Sequence, residues 1–212
     1  QPHVTAEVSP GASGAEAKVK ERPMWRDPRV TPFLIYGFIV AVCQTAQAQT
    51  LGFLIIDKLK ITPIEAQGYI AIAMMFGAVA GLLAQWGIIR MLDMSPAQLM
   101  RWGAFTAAAG TSMVAFAADF YLIVLGYAVA SAGFGFARPG FTAGASLAVR
   151  HDEQGDVAGA TTAVNGASFV LAPSVGIGLY QLDGALPYWL SALGLFLLGL
   201  YTLHQQHFRA DA

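Results

Sequence analysis

Six apolar runs follow one another from Pro32 to His204, each near or above the roughly 20 residues that a helix needs to cross a ~30 Å hydrocarbon core. They lie at about 32–56, 63–89, 96–118, 120–149, 157–180 and 186–204. No stretch alternates polar and apolar residues over ten positions as a barrel strand would, so helices are the expected spanning element. The predicted fold is an all-α integral membrane six-helix bundle over residues 31–205, with the lipid bilayer as its surroundings. Composition points the same way: 56% of residues are hydrophobic and only 12% are charged, too few to cover a soluble surface. Twelve Lys and Arg against 13 Asp and Glu leave a net charge of −1, which excludes the basic excess of a nucleic-acid binder. The lone Cys43 sits inside an apolar run and cannot form an internal disulfide.

Residues 1–30 are rich in Pro, Gly, Ala and charge, with no sustained apolar period, and read as a mobile linker. Residues 206–212 read as a polar tail. Two span starts carry capping boxes: Thr62-Pro63-Ile64-Glu65 and Ser95-Pro96-Ala97-Gln98 place an acceptor at the cap, Pro at the first helical position and a reciprocal side chain at the third. Glu65 and Gln98 thus have a structural reason to exist, and Asp119 and Asp156 read as caps too. Ala46-Gln47-Ala48 has the small-x-small shape of a signal-peptide cleavage site. The leader would be unusually long, however, and the apolar stretch resumes at Leu51, so a first span with polar residues in its middle is the better reading.

Basic residues next to the span ends set orientation. With the N-terminus in the cytoplasm, Lys18, Lys20, Arg22, Arg26, Arg29, Arg90, Arg101, Arg150 and Arg209 lie inside, and only Lys58 and Lys60 outside. Both termini are therefore expected in the cytoplasm, in a cell membrane that is expected to be bacterial and inner.

Hydrocarbon gives helices no hydrophobic reason to associate, so small residues must bring them together. Gly77 to Gly81 and Gly140 to Gly144 have small-xxx-small spacing, and the fifth span carries Gly159, Gly166, Gly176 and Gly178. Pro139 and Pro173 lie well inside the fourth and fifth spans, where each removes a backbone hydrogen bond and frees a carbonyl that needs a neighbour or water. With Gly176, they are the expected bend points of helices lining a wet cavity.

Arg138 breaks the charge pattern, because it lies deep in the fourth span, where an arginine costs about 2.5–3.5 kcal/mol. No Asp or Glu lies at comparable depth in any span, so it either faces a wet cavity and an anionic group or snorkels towards the cytoplasmic side. Gln44 and Gln47 share a helix face in the first span and Asn165 pairs with Ser168 in the fifth. Gln44, Gln47, Arg138 and Asn165 are the cavity candidates, with interhelical hydrogen bonding as the alternative for the amides.

Catalytic patterns are missing: there is no paired intramembrane aspartate, Gly-x-Ser-x-Gly, phosphate loop, or His or Cys cluster within a span. The chain therefore reads as neither an enzyme nor a cofactor or metal protein. His204 and His207, three residues apart near the C-terminus, read as part of the polar tail.

The stretch Gly133-Phe134-Gly135-Phe136-Ala137-Arg138-Pro139-Gly140, the loop Arg150 to Gly159 and the turn Ala172-Pro173-Ser174-Val175-Gly176 resemble, in this order, the second half of major facilitator superfamily transporters. The likeness is to the drug:proton antiporter group that includes tetracycline-efflux proteins, and it covers residues 20–205. It implies a proton-coupled exporter of small amphipathic molecules working by alternating access, with protons and a small-molecule substrate as partners. It also implies that the chain, which begins with Gln1, is a fragment carrying helices seven to twelve, without its N-terminal six-helix half. The alternative is a self-sufficient six-helix protein that dimerises into a transporter or channel. The family's gating motif is mostly absent from Arg90 to Ser95, and Arg138 falls later along its helix than the family's proton-linked arginine does, so that role does not carry over. The three-plus-three inverted repeat expected of such a half leaves too little identity between spans one to three and four to six to support it independently.

Overall fold

The computed structural model describes residues 23–204. They form six long helices: α1 (Thr31–Leu59), α2 (Pro63–Leu92), α3 (Pro96–Phe116), α4 (Phe120–Leu147), α5 (Gln154–Leu182) and α6 (Leu186–His204). Among the described residues there is no strand. Thr62 and Ser95 close the two expected capping boxes, with the Thr62 amide donating to Glu65 Oε2 at 2.9 Å and the Ser95 amide to Gln98 Oε1 at 3.0 Å. Asp119 accepts from the Leu122 amide at 2.9 Å. Asp156 departs from expectation: α5 begins at Gln154, so Asp156 sits in the first turn, not at the cap.

Of the expected linker and tail, residues 1–22 and 205–212, His207 among them, lie outside the described residues. The rest of the linker is structured. Met24–Arg26 form a 3-10 turn, Val30 is fully buried in the core, and Arg29 pairs with Glu153 Oε1 at 3.0 Å. That pair ties the entry to α1 to the loop before α5.

α2 is not regular throughout. Leu83–Ile88 form a π-helical segment between α-helical stretches, which inserts extra backbone into the rod and shifts the phase of everything after it.

Five of the six helices are long and apolar enough to cross a membrane by themselves; α3 is the exception. Its composition explains this, since Ala and Gly dominate it and Gln98 and Arg101 lie in its first turns. Small residues lower its hydropathy and also let it pack closely. Gly103, Ala107 and Gly110 face Ala137, Gly133 and Ala130 of α4, and a Cβ on Gly103, Gly133 or Gly110 would lie 2.5, 2.2 and 2.2 Å from a facing backbone nitrogen. Backbone meets backbone along this seam, the close approach that drives association in lipid. The expected glycines contribute in part. Gly77 rests on Tyr127, Gly140 on Leu99 and Met100, Gly144 on Phe33 and Gly176 on Ala46, whereas Gly159, Gly166 and Gly178 meet nothing within 4 Å.

The helices pair across the two triplets. α1 packs on α5, and α4 on α2, the exchange that swapping α1–α3 with α4–α6 would produce. α3 adds the α4 seam and also packs against α6. Inside, polar side chains join α1 to its neighbours: Tyr36 donates to the Met100 carbonyl at 2.6 Å, and Thr50 Oγ1 donates to Tyr188 Oη at 3.0 Å. α2 and α5 are the least buried, with 17% of their most apolar windows inside the bundle against 50% for α1.

Candidate functional site

The α3–α4 seam fixes how α4 is turned. Its inner stripe is Gly126, Ala130, Gly133, Ala137 and Gly140, and the residues one step further along, Tyr127, Ser131, Phe134 and Arg138, form a second stripe about 100° away. This second stripe lines a cavity of about 460 Å³ between α1, α2 and α4. Gln44 closes it from α1, and Gln85, within the π segment, from α2. Gly77 and Gly81 lie on the same wall of α2 and keep it close to α4. The volume is that of a small-molecule site.

Arg138 is exposed, lies about 7 Å beyond the centre of α4 towards its C-terminal end, and donates from Nη2 to Asn165 Oδ1 of α5 at 3.3 Å. Three of the four expected residues thus come together: Gln44 and Arg138 on the cavity wall, and Asn165 behind the arginine. Ser168 donates to the Asn165 carbonyl at 2.7 Å, so the expected pair is local to α5.

Gln47 lies elsewhere. It is 1% exposed, donates from Nε2 to Thr111 Oγ1 of α3 at 2.7 Å, and does not line the cavity. The first-span amides are therefore split, Gln44 towards the cavity and Gln47 into the bundle interior, where it joins helices. Residues three apart share a helix face only broadly, and here the helix α1 turns its two edges to different neighbours.

A second cavity of about 360 Å³ adjoins the first, with Gln85 on the wall of both. Trp86, Ile89 and Arg90 of α2 and Pro139 of α4 complete it. The chain nevertheless continues as helix through both Pro139 and Pro173. Thr142 Oγ1 donates to the Arg138 carbonyl at 3.1 Å, one turn from Pro139.

Gln85, Ser131 and Tyr127 escaped the sequence reading. A signal was present: stepping back from Arg138 by four, three and four residues gives Phe134, Ser131 and Tyr127, one helical stripe. For Gln85, the repeat of four from Gly77 through Gly81 is the corresponding mark.

Among the described residues no group of three or more His, Cys, Asp or Glu is placed to hold a metal ion. Compared with models of known protein families, the chain matches that of the Major Facilitator Superfamily over residues 1–173. A search of curated proteins gave no match.

Proposed function

The chain belongs to the Major Facilitator Superfamily, whose members are membrane transporters of small molecules, and from that premise we propose that it takes part in proton-coupled export of small amphipathic molecules by alternating access. The observation that carries this reading is the cavity of about 460 Å³ in which apolar walls meet Gln44, Gln85, Ser131 and Arg138. An open apolar cleft with a few convergent polar groups suits an amphipathic guest. Export and proton coupling rest on the likeness of Gly133 to Gly140, Arg150 to Gly159 and Ala172 to Gly176 to drug:proton antiporters.

Alternating access needs a second unit to rock against. The low burial of α2 and α5, and the open space around Gly159, Gly166 and Gly178, favour a second six-helix bundle on that side. In the bacterial inner membrane, the end bearing Arg29, Arg90, Arg101 and Arg150 would face the cytoplasm. Gln44, Arg138 and Asn165 would contact the substrate or hold what contacts it. Gln47 would keep α1 on α3, while Pro139, Pro173 and Gly176 would mark where α4 and α5 give way.

The test is dye movement in proteoliposomes under an imposed pH gradient, with the chain alone and with a matching N-terminal six-helix half. Gradient-driven movement with the pair, abolished by a protonophore and absent for the chain alone, is expected. Movement by the chain alone would assign transport to a homodimer, and no gradient-driven movement in either case would overturn the proposal.

A further inference from the structure

We propose that the cavity between α1, α2 and α4 selects an anionic amphipath, with Arg138 as the group that binds the anion and Arg90 as a second cation at the adjoining mouth. The proposal rests on the reading of this cavity as the transport site.

The first cavity's lining contains no Asp or Glu: besides Arg138, its polar groups are the amides of Gln44 and Gln85 and the hydroxyls of Ser131 and Tyr127, and the rest is apolar. The adjoining cavity adds Arg90, and its other residues, Trp86, Ile89 and Pro139, are uncharged. The ion pairs of Arg29 with Asp27 and Glu153, and of Arg150 with Asp152, involve no residue that lines either cavity. The bond of Arg138 to Asn165 uses one of the five N–H donors of a guanidinium. It also fixes one edge of the fork, which leaves a planar pair of donors to meet a carboxylate or sulfonate in two-point fashion.

The only charges among the residues lining the paired cavities are therefore positive, Arg138 in one and Arg90 in the other. Low-dielectric walls strengthen their field, drawing anions in and opposing cations. The aromatic rings of Tyr127 and Trp86 offer surface on which an apolar body rests. The π segment contributes by setting Gln85 on the wall that both cavities share.

The test uses three probes with one naphthyl body: naphthylacetate, its neutral amide and naphthylmethylammonium. Binding to the chain in lipid nanodiscs at neutral pH is measured by calorimetry, for the wild type, Arg138→Gln, Arg138→Lys and Arg90→Gln. Expected is at least a tenfold preference for naphthylacetate over the amide and weakest binding of the cation. Arg138→Gln should lose that preference, and an unfolding transition in detergent like that of the wild type shows that it folds. Arg138→Lys should keep part of the preference, and Arg90→Gln should reduce it without abolishing it. Equal binding of the three probes, preference for the cation, or an anion preference that survives Arg138→Gln would overturn the proposal. Gradient-driven flux of the neutral amide in proteoliposomes that hold the chain with a matching N-terminal six-helix half separates the two readings: if it is present while the charge preference fails, only this inference falls. If no probe moves but the preference holds, the transport reading falls alone.

Discussion

Gly110 of α3 faces Ala130 of α4 so closely that a Cβ on Gly110 would lie 2.2 Å from the Ala130 nitrogen and 2.6 Å from the Gly126 carbonyl oxygen. Both obstacles are backbone and cannot swing aside. Gly110→Ala is therefore expected to force the helices apart and cost at least the ~1–3 kcal/mol of an overpacked core. Gly166→Ala, where nothing lies within 4 Å, is expected to be neutral or slightly stabilising, because Ala is the better helix former. Thermal unfolding in detergent compares the two; equal melting temperatures would refute a close-packed seam.

Gln47 and Thr111 predict an asymmetry. Thr111 Oγ1 accepts from Gln47 and itself donates to the Ala107 carbonyl at 2.7 Å, so removing Gln47 leaves its hydroxyl proton bonded. Gln47 Oε1 is buried with no partner. Gln47→Leu is expected to change stability by less than about 1 kcal/mol, whereas Thr111→Val leaves the buried amide N–H unpaired and should cost about 1–3 kcal/mol. Unfolding titrations in mixed micelles would measure both, and the reverse order would sink the prediction.

Arg29 meets Asp27 at 2.6 Å and Glu153 at 3.0 Å on an exposed surface. The hydrogen bonds to Asp27 first and Glu153 second hold the guanidinium above its ordinary range. A group raised in the folded state stabilises below its unfolded value and loses that effect only as pH rises through the folded one. At neutral pH the contribution is thus complete, and Arg29 itself gives no pH dependence there. Salt should weaken the contact instead. Proteolysis of the loop around Arg150 should quicken in Glu153→Gln and, for the wild type, in high salt. Cleavage rates that ignore both would show the contact to be idle.

Cys43 is buried, 8% exposed, while Gln85 lies on the wall of both cavities. A water-soluble maleimide should label Cys43 slowly and a Gln85→Cys variant in a Cys43→Ala background at least tenfold faster. Comparable rates would mean that the cavity is closed to water.

The helices were legible because hydropathy over 20 residues is a property of the chain alone, and the caps because Thr62 and Ser95 act on amides three residues away. The α3–α4 seam was harder to see, since alanines such as Ala107 and Ala130 carry no mark in isolation and become an interface only when two helices bring them into register. The site was legible where a residue broke the local rule, as Arg138 does. It was illegible where ordinary residues such as Ser131 and Tyr127 gain meaning from an arginine two or three turns away. Gln44 and Gln47 show the limit: the neighbours of α1, not the sequence of α1, decide which amide meets the cavity.

The π segment of α2 has a geometric consequence for Arg90. Nine residues separate it from Gly81, which in an unbroken α-helix would put the two roughly 180° apart, with Arg90 turned away from α4. One extra residue held in the wide turn at Leu83–Ile88 takes back roughly 100° of that rotation and brings Arg90 round to the side where Pro139 lies. The wide turn thus acts as a phase shifter: the deletion of one residue there would leave the chain's charge unaltered and yet rotate Arg90 away from the wall it shares with Pro139.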